Sequence, residues 1–280
     1  MIMYHMPQAS PEWWEARRGI PTASNFHKVI SAKAPFDMKP GGSNSYAAEL
    51  VAETACLNPN YFTERDAISR NRETQYGRDT EPIARQWIAM KLGEPVGQIG
   101  FITTDDGFLG CSPDGLTATD GIEIKCPRLD THAKYRLKPN EVPKDYLPQV
   151  HGSLLVTGLK RWHFVSYAPG LEPIHVAVEP NDYTKKLGEV MRQFLEKYHN
   201  RLRAEIPDAG TILDWQTWMN PSLPLEQFNQ RLPEMSKMPY ELKSRIWQRV
   251  QNYASIMGLV FNYQTKTYHR PEESDGTMDF

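Results

Sequence analysis

The sequence has few cysteines and no surplus of charge. Its 280 residues include three cysteines, and 32 basic against 34 acidic residues give a formal net charge of −2. Cys56, Cys111 and Cys126 contain no CxxC pair, which argues against a disulfide framework or a zinc ribbon and favours a reducing cytosol. The near-neutral balance gives no sign of a nucleic-acid partner. It does not exclude one, because only the local field of a groove matters there.

Long apolar runs are also missing. No stretch approaches the roughly 20 residues of a membrane span, and the first residues lack the basic and apolar regions of a signal peptide. We therefore expect a soluble intracellular protein without a membrane partner. With 40% hydrophobic and 11% aromatic residues, the chain can bury a full-sized core and a small second unit.

The order of periodic segments predicts an α/β fold with a mixed central sheet flanked by helices. Helical patterns come first, and a long helix is expected over residues 73–92, with Pro82 marking where the true helix begins. Short strand-like segments follow at 97–103, 107–112, 121–126, 162–167 and 174–178, with helical segments at 131–137 and 146–157 among them. An amphipathic helix from Asp182 to about Arg203 comes next. Prolines then become frequent, so we divide the chain into residues 1–206 and a C-terminal appendage, residues 207–280. In the appendage, a helix over 240–257 and a strand or hairpin over 259–268 are expected.

Three charged residues stand close together in the strand region. Asp114 follows one short strand, while Glu123 and Lys125 lie on the next and point to the same face because strand residues alternate. A turn at Asp114 would bring its carboxylate beside Glu123, and such a pair suits Mg²⁺, which prefers oxygen ligands. With a lysine alongside, the pattern favours phosphodiester hydrolysis. The alternative is a solvated Glu/Lys pair on an ordinary strand.

Several polar residues elsewhere fit the same chemistry. Glu81, near the start of the long helix, would supply a third carboxylate. Arg17 precedes Thr22 and Ser24 at a helix start, a combination that favours an anion site, although plain helix capping explains the hydroxyls equally well. Gln149 opens an apolar helix and either faces a ligand or is an exposed helix start.

The ordered motifs resemble those of the phage lambda exonuclease family of YqaJ-type viral recombination nucleases, within the PD-(D/E)xK superfamily. The motifs cover roughly residues 10–205, and the paired Ser-Pro-Asp-Gly and Glu-x-Lys-Cys-Pro segments are their most specific part. They are Trp13 with Arg17-x-Gly19-x-x-Thr22-Ala23-Ser24, Gly77-x-x-x-Glu81, Ser112-Pro-Asp114-Gly, Glu123-x-Lys125-Cys-Pro and Gln149-x-His151.

The resemblance implies a restriction-endonuclease-like core and a Mg²⁺-dependent 5′→3′ exonuclease that degrades one strand of linear duplex DNA. The remaining 3′ single strand would pass to a single-strand annealing protein during phage-type recombination in the bacterial cytosol. Relatives form trimeric rings around DNA. Two metal ions are expected in each site, with Mn²⁺ as a substitute for Mg²⁺.

By motif position, the resemblance implies that the metal ligands are Asp114, Glu123, the Ile124 carbonyl and Glu81, and that Lys125 is the catalytic lysine. Arg17, Ser24 and Gln149 would bind the terminal 5′ phosphate. Two departures stand out: His151 replaces a second glutamine often found in the family, and the appendage is not part of the family pattern.

Two alternative functions stay open at this stage. One is a structure-selective endonuclease on the same fold, which would cut a covalently closed circle. The other is a DNA-end-binding module with a vestigial metal site, although the intact Asp114, Glu123 and Lys125 argue against decay. Cys111 and Cys126 are expected to be packing residues rather than nucleophiles. Trp13 is expected to anchor a short helix rather than stack on DNA.

Overall fold

The computed structural model describes residues 1–30, 37–56, 58, 61, 64, 72–219 and 223–271. The α-helices in these ranges are Pro11–Arg17 (α1), Phe26–Val29 (α2), Pro40–Ala55 (α3), Arg72–Leu92 (α4), Leu129–Tyr135 (α5), Leu147–Thr157 (α6), Asp182–Glu205 (α7), Ala209–Trp218 (α8), Leu225–Arg231 (α9) and Tyr240–Ile256 (α10). The strands are Ile2–Tyr4 (β1), Phe101–Thr103 (β2), Gly110–Cys111 (β3), Gly115–Leu116 (β4), Gly121–Lys125 (β5), Trp162–Ser166 (β6), Ile174–Val178 (β7), Val260–Asn262 (β8) and Thr267–His269 (β9). None of the helices in the described ranges is long and apolar enough to cross a membrane.

The strands before the appendage form two ladders. One is a three-stranded antiparallel sheet in the order β1-β2-β3, and the other has four strands in the order β4-β5-β6-β7. The second ladder is mixed, because β5 and β6 run parallel while its other pairs are antiparallel. The mixed α/β architecture expected from the sequence is therefore confirmed, but β1 and β4 are too short to be recognised from periodicity.

The long helix α4 covers one face of β5. Ala84 and Ile88 pack there on Ile122 and Ile124 in a small, fully buried cluster. The helix expected over 73–92 is confirmed as α4, but the expectation that Pro82 marks its start is wrong, because Pro82 lies inside it. Proline removes one backbone hydrogen bond from a helix, and the turns that follow Pro82 are held by their packing on the sheet.

A close approach of backbone to ring fixes helix α6 against the start of α2. A Cβ atom added at Gly152 would lie 2.6 Å from Cδ2 of Phe26 and 3.1 Å from the Cβ of Ala23. Only glycine fits between these elements at this separation. This contact sets the distance between Gln149 at the beginning of α6 and Ser24 in the 3₁₀ turn Ala23–Asn25 that precedes α2.

A chain of hydrogen bonds runs across three neighbouring segments of the mixed sheet. His163 Nε2 lies 3.0 Å from Asp120 Oδ2, and His163 Nδ1 lies 2.8 Å from His175 Nε2. Both nitrogens of the buried His163 ring are therefore engaged, and the chain links the turn before β5 to β6 and β7.

The appendage packs on the rest of the chain through α8 and α10. Helix α10 lies against α1, and Gln216 of α8 donates a hydrogen bond of 3.2 Å to the carbonyl of Gly107. Ile212 and Trp215 are fully buried in the same apolar cluster as Leu202 and Phe194 of α7. The expected helix and hairpin are confirmed at 240–256 and 260–269. Helices α8 and α9 are not expected from the sequence, because the prolines that flank them favour irregular structure.

Candidate active site

The charged triplet identified in the sequence comes together at the β4–β5 edge of the mixed sheet. The Asp114 amide donates to the carbonyl of Ile122, and its Oδ2 accepts a 2.7 Å hydrogen bond from the Ile124 amide. Glu123 is only 1% exposed, and its Oε1 lies 2.5 Å from Lys125 Nζ. The Lys125 ammonium also lies 5.2 Å from the ring centre of Tyr146, which closes one side of the cluster.

Glu81 approaches this cluster from α4 and is held by an arginine one helical turn later. Arg85 Nη2 pairs with the Glu81 carboxylate, while Arg85 Nε donates to the Asp114 carbonyl over 2.7 Å. Arg85 therefore ties the helix to the β4–β5 edge. Arg85 is not among the site residues expected from the sequence, although its i, i+4 spacing from Glu81 is the signal of such a pair.

The carboxylates destabilise one another because they share a poorly solvated space. Burial, opposed by Lys125 but reinforced by Asp114 and Glu81, raises the pKa of Glu123 to about 8. Burial and the charge of Asp114 raise the pKa of Glu81 to about 7. Burial also raises the pKa of Asp114, against the attraction of Lys125. Burial alone would lower the pKa of Lys125, but the charges of Glu123 and Asp114 raise it above its ordinary value.

This donor set fits a hard divalent cation. Glu123 Oε1 is buried without a hydrogen bond of good geometry, and three carboxyl groups face one lysine and one arginine. In the described ranges no three acidic, imidazole or thiol groups form a ready-made metal cluster, because the carboxylates of Glu81 and Glu123 turn towards Arg85 and Lys125. A divalent cation bound here would compensate the negative charge of these carboxylates.

The residues expected to bind a phosphate line one cavity of about 180 Å³. Arg17, Ser24 and Gln149 all reach it, although they come from α1, the 3₁₀ turn before α2 and the start of α6. The other lining residues are Gln8, Trp13, Ala23, Cys111, Ser112 and Ser153. The cavity adjoins the charged cluster, since Ser112 lies two residues before Asp114.

Arg17 enters this cavity as a cation among neutral groups. Its Nη1 donates to Ser112 Oγ over 2.8 Å, its Nη2 donates to Thr22 Oγ1 over 3.3 Å, and its guanidinium lies 4.2 Å from the Trp13 ring centre. No carboxylate of the described ranges forms an ion pair with it. Burial lowers the pKa of Arg17 to about 10, although Tyr46 and the charge of Glu53 act in the opposite direction. A ligand anion bound in the cavity would give the guanidinium a charged partner in direct contact.

Two of the residues that line the cavity, Ser153 and Gln8, are not expected from the motifs, and His151 lies outside it. His151, which replaces the second glutamine of the motif, does not line the cavity; its Nδ1 lies 2.8 Å from Thr184 Oγ1 on α7. Ser153, one turn after Gln149, occupies that side instead. Gln8 was missed because an isolated glutamine before a helix carries no pattern. Its Nε2 donates to the carbonyl of Pro113 over 2.7 Å, which connects the cavity wall to the residue before Asp114.

The expectations for Trp13 and the cysteines agree with the structure. The Trp13 indole nitrogen donates to the carbonyl of Gly100 and to Ser112 Oγ, so the side chain anchors α1 and forms the floor under Arg17. Burial raises the pKa of Cys111 far above its ordinary value and that of Cys126 to about 12. Both thiols are therefore protonated at neutral pH and unsuited to nucleophilic attack.

Comparisons with known proteins point to one family. The model of the YqaJ-like viral recombinase domain matches residues 12–160. The alkaline exonuclease LHK-Exo of Laribacter hongkongensis is 27% identical, with a TM-score of 0.58 over 72% of this chain and 100% of that chain. Its complex with dAMP matches at the same identity and coverage with a TM-score of 0.57. A phage-related exonuclease from Haemophilus somnus 129PT is 14% identical, with a TM-score of 0.49 over 67% of this chain and 96% of that one. No curated protein sequence matches the chain.

Proposed function

Because the chain belongs to the YqaJ-like viral recombinase family, whose model matches more than half of it, we propose that it is a Mg²⁺-dependent 5′→3′ exonuclease of linear duplex DNA. The family and the exonuclease relative, covered over its whole length, make the chain a phage-type nuclease with a restriction-endonuclease-like core. Its product would be a 3′ single strand, handed to a single-strand annealing protein in the cytosol of the bacterial host.

The observation that carries the proposal is the position of the cavity around Arg17 beside the carboxylate cluster. The cavity is lined by Arg17, Ser24 and Gln149, and the backbone from Ser112 to Asp114 leads from it to the acidic residues. A terminal phosphate bound there would lie next to the groups that act on the adjacent phosphodiester bond. A site of this kind selects a strand end and gives digestion a direction.

Each group in the cluster has a separate part in the proposed reaction. Asp114, Glu123, the Ile124 carbonyl and Glu81 would hold Mg²⁺, two ions in each site, with Mn²⁺ able to substitute. When bound, the metal polarises the phosphoryl oxygen and lowers the pKa of a water molecule. Lys125 orients the attacking water and neutralises charge that develops on the phosphate. Arg85 is a positioning residue, because its bonds to the Glu81 carboxylate and the Asp114 carbonyl fix these two residues relative to each other.

The cavity residues contribute by positioning the substrate. Arg17 offers a planar fork of donors that can hold two phosphate oxygens, and Ser24 and Gln149 donate without adding charge. The binding energy of the terminal phosphate is then used to align the scissile bond. A charge-assisted contact contributes about 1.5–3 kcal/mol, which corresponds to about a ten- to hundredfold change in rate.

The test is digestion of linear duplexes that differ only in their 5′ phosphate, with Mg²⁺ or with a chelator. Arg17→Ala should slow digestion of 5′-phosphorylated ends about ten- to hundredfold and that of 5′-hydroxyl ends much less. Arg17→Lys should fall between the two, since it keeps the charge but loses the fork. Arg201→Ala, which removes an exposed arginine paired with Glu205, serves as the matched control and should leave both rates unchanged.

Two results would contradict the proposal. Equal slowing of both substrates by Arg17→Ala would remove the phosphate-binding role and the direction of digestion with it. Cleavage of a covalently closed circle at the rate of a linear duplex would indicate the endonuclease alternative instead.

A further inference from the structure

A second cavity lies at the junction between the appendage and the core. It has a volume of about 30 Å³ and shares no lining residue with the cavity around Arg17. Helix α10 contributes Ser244, Arg245, Gln248 and Arg249 to its wall. These residues lie on one face of the helix, because positions four apart stand one above the other. Across from them stand Glu15 of α1 and Arg18, the residue that follows α1.

The charges around this cavity do not balance. Arg18 is matched by Glu15, to which its Nε donates over 2.7 Å, and its Nη1 donates to the carbonyls of Glu53 and Cys56. The other two arginines are not matched in this way. Within the described ranges, neither Arg245 nor Arg249 forms an ion pair with a carboxylate.

The two appendage arginines also keep buried donors without a hydrogen-bond acceptor. Arg249 Nη2 and Arg245 Nε are both buried and unpartnered, and Arg249 Nη1 reaches Gln216 Oε1 only at 3.4 Å. A buried unsatisfied polar group costs about 1–3 kcal/mol, and more when it is charged. Both arginines line the cavity, so an acceptor with several oxygens bound there could satisfy these donors. Burial lowers the pKa of Arg249 to about 10; the charge of Arg18 acts in the same direction, whereas Tyr198 and Glu15 oppose it.

We propose that this cavity binds a small tetrahedral oxyanion, inorganic phosphate being the simplest example, that bridges the appendage to the core. Guanidinium forks match the oxygens of phosphate, and one anion can accept from both arginines. Ser244 and Gln248 stand beside them as neutral donors. The volume is two to three times the roughly 10–15 Å³ that a water molecule needs on the same scale, which suits an ion of a few atoms and leaves no room for a nucleoside.

The site would act on stability rather than on cleavage. It joins α10 to the end of α1, and the side chains of neighbouring Arg17 and Arg18 bond to different groups, Arg17 to Ser112 and Arg18 to Glu15. An anion held by Arg245 and Arg249 would therefore fasten the appendage to the helix that carries the cavity around Arg17, without occupying that cavity.

The experiment measures thermal unfolding and calorimetric binding of inorganic phosphate in the full chain carrying Arg17→Gln. This background weakens phosphate binding in the cavity around Arg17, so that failure of the present proposal and failure of the proposed function can be told apart. Chloride at equal ionic strength is the reference. At a phosphate concentration about a hundredfold above Kd, the melting temperature should rise by about 5–10 °C.

Variants on α10 test the assignment. Adding Arg249→Met should abolish the phosphate-dependent rise while leaving the protein in chloride as stable as its parent or more so, because a buried unpaired charge is removed. Arg249→Lys should keep part of the rise. Lys243→Gln removes one charge from an exposed position of the same helix and should keep all of it.

Three outcomes would overturn the proposal. The first is the absence of any rise in the Arg17→Gln parent, and the second is a rise of the same size after Arg249→Met. In the third, dAMP raises the melting temperature of the Arg17→Gln parent as phosphate does and Arg249→Met abolishes both effects, which would mean that the cavity admits a nucleoside. A rise with inorganic phosphate alone, lost on Arg249→Met, would establish a site for the free oxyanion.

Discussion

Glu123 is the most deeply buried of the three carboxyl groups at the β4–β5 edge. Its carboxyl group is nearly inaccessible to solvent, lies against Lys125 and has Asp114 and Glu81 as acidic neighbours. Burying one carboxylate is unfavourable, and burying it beside two others is more so. A proton, or the divalent cation that we propose, would compensate this charge, so we expect Glu123 to respond both to pH and to divalent metals.

The first prediction separates metal binding from catalysis. Asp114→Asn or Glu123→Gln should reduce both Mg²⁺ binding and cleavage by about a hundredfold or more, with the fold retained. Lys125→Ala should reduce cleavage to a similar extent but retain Mg²⁺ binding, since lysine is not a ligand. Calorimetry with Mg²⁺, circular dichroism and cleavage assays provide the measurements, and Lys185→Ala, on an exposed face of α7, is the control. Near-wild-type turnover in any well-folded variant of the three would show that the site is elsewhere.

The second prediction concerns pH. In the folded protein Glu123 and Glu81 have pKa values of about 8 and about 7, above the ordinary value of 4.5. The folded state therefore binds more protons than the unfolded state between about pH 4.5 and pH 8, so the free energy of unfolding of the metal-free protein should fall across this range. For Glu123 the loss is on the order of a few kcal/mol.

Denaturant unfolding in a chelating buffer at pH 6 and pH 9 measures this loss. Glu123→Gln should flatten the dependence, and Mg²⁺ should stabilise the wild type more at pH 9 than at pH 6 because it competes with protons. If the wild type and Glu123→Gln lose the same free energy between the two pH values, the carboxyl of Glu123 is not the titrating group.

Among the elements, those with strong periodicity could be predicted and those set by tertiary contacts could not. Strand β5 was recognised because Ile122 and Ile124 alternate with Glu123 and Lys125, and this alternation also located the acidic cluster. Helix α8 was missed because its neighbouring prolines outweighed its burial against α7. The expectation that Pro82 starts the helix is wrong for a related reason. Local propensity takes no account of the packing of α4 on the sheet, which holds the turns that follow Pro82.

The same limit applies to the site. Arg17, Ser24 and Gln149 could be assigned to a phosphate pocket through their motifs, but the sequence does not show that α1, the turn before α2 and α6 meet at one cavity. Gln8 and Ser153 reach that cavity through the fold alone and carry no motif of their own. Likewise, the sequence does not show which way the His151 side chain points, because its direction depends on a contact with Thr184, 33 residues away along the chain.

The third prediction uses the close contact between α6 and α2. Gly152→Ala should lower the free energy of unfolding by about 1–3 kcal/mol, because the new methyl group would collide with Phe26 and force the two elements apart. It should also weaken the preference for 5′-phosphorylated ends, since Gln149 and Ser24 would move relative to each other. Gly210→Ala is the matched control, because a Cβ there meets nothing within 4 Å. It should be neutral or stabilising by up to about 1 kcal/mol. Equal effects of the two substitutions on stability would show that the contact does not set the spacing.

At the scale of the whole molecule, a nearly neutral chain must still attract a polyanion. A net charge of −2 gives no general attraction, so the positive field must be concentrated where DNA binds. We propose that a ring-shaped trimer achieves this by turning one basic face of each subunit towards a shared channel. The boundary near residue 207 is part of the same proposal, with the appendage packed on the nuclease unit that forms the ring.

The fourth prediction tests this assembly. Light scattering at working concentrations should give about three times the chain mass of 32.2 kDa, and the trimer should digest a long duplex processively. Dilution into excess unlabelled competitor DNA after the start of digestion measures processivity, because a ring that encloses its substrate stays on it. A stable monomer with full activity would remove the ring.

The hydrogen-bond chain from Asp120 through His163 to His175 has a consequence for spectroscopy. The Asp120 carboxylate can only accept, so a neutral His163 ring donates to it through Nε2–H. Its Nδ1 then has no proton and must accept from the Nε2–H group of His175. In that state the Nε2–H groups of His175 and His163 both point towards Asp120, and the His163 proton is shielded from solvent because the ring is buried. Protons held in this manner exchange slowly and resonate downfield of the amide region, so they mark the register of β5 and β6 one residue from Glu123. The proton resonances of this chain therefore distinguish an inactive variant with an intact sheet from one whose sheet has shifted.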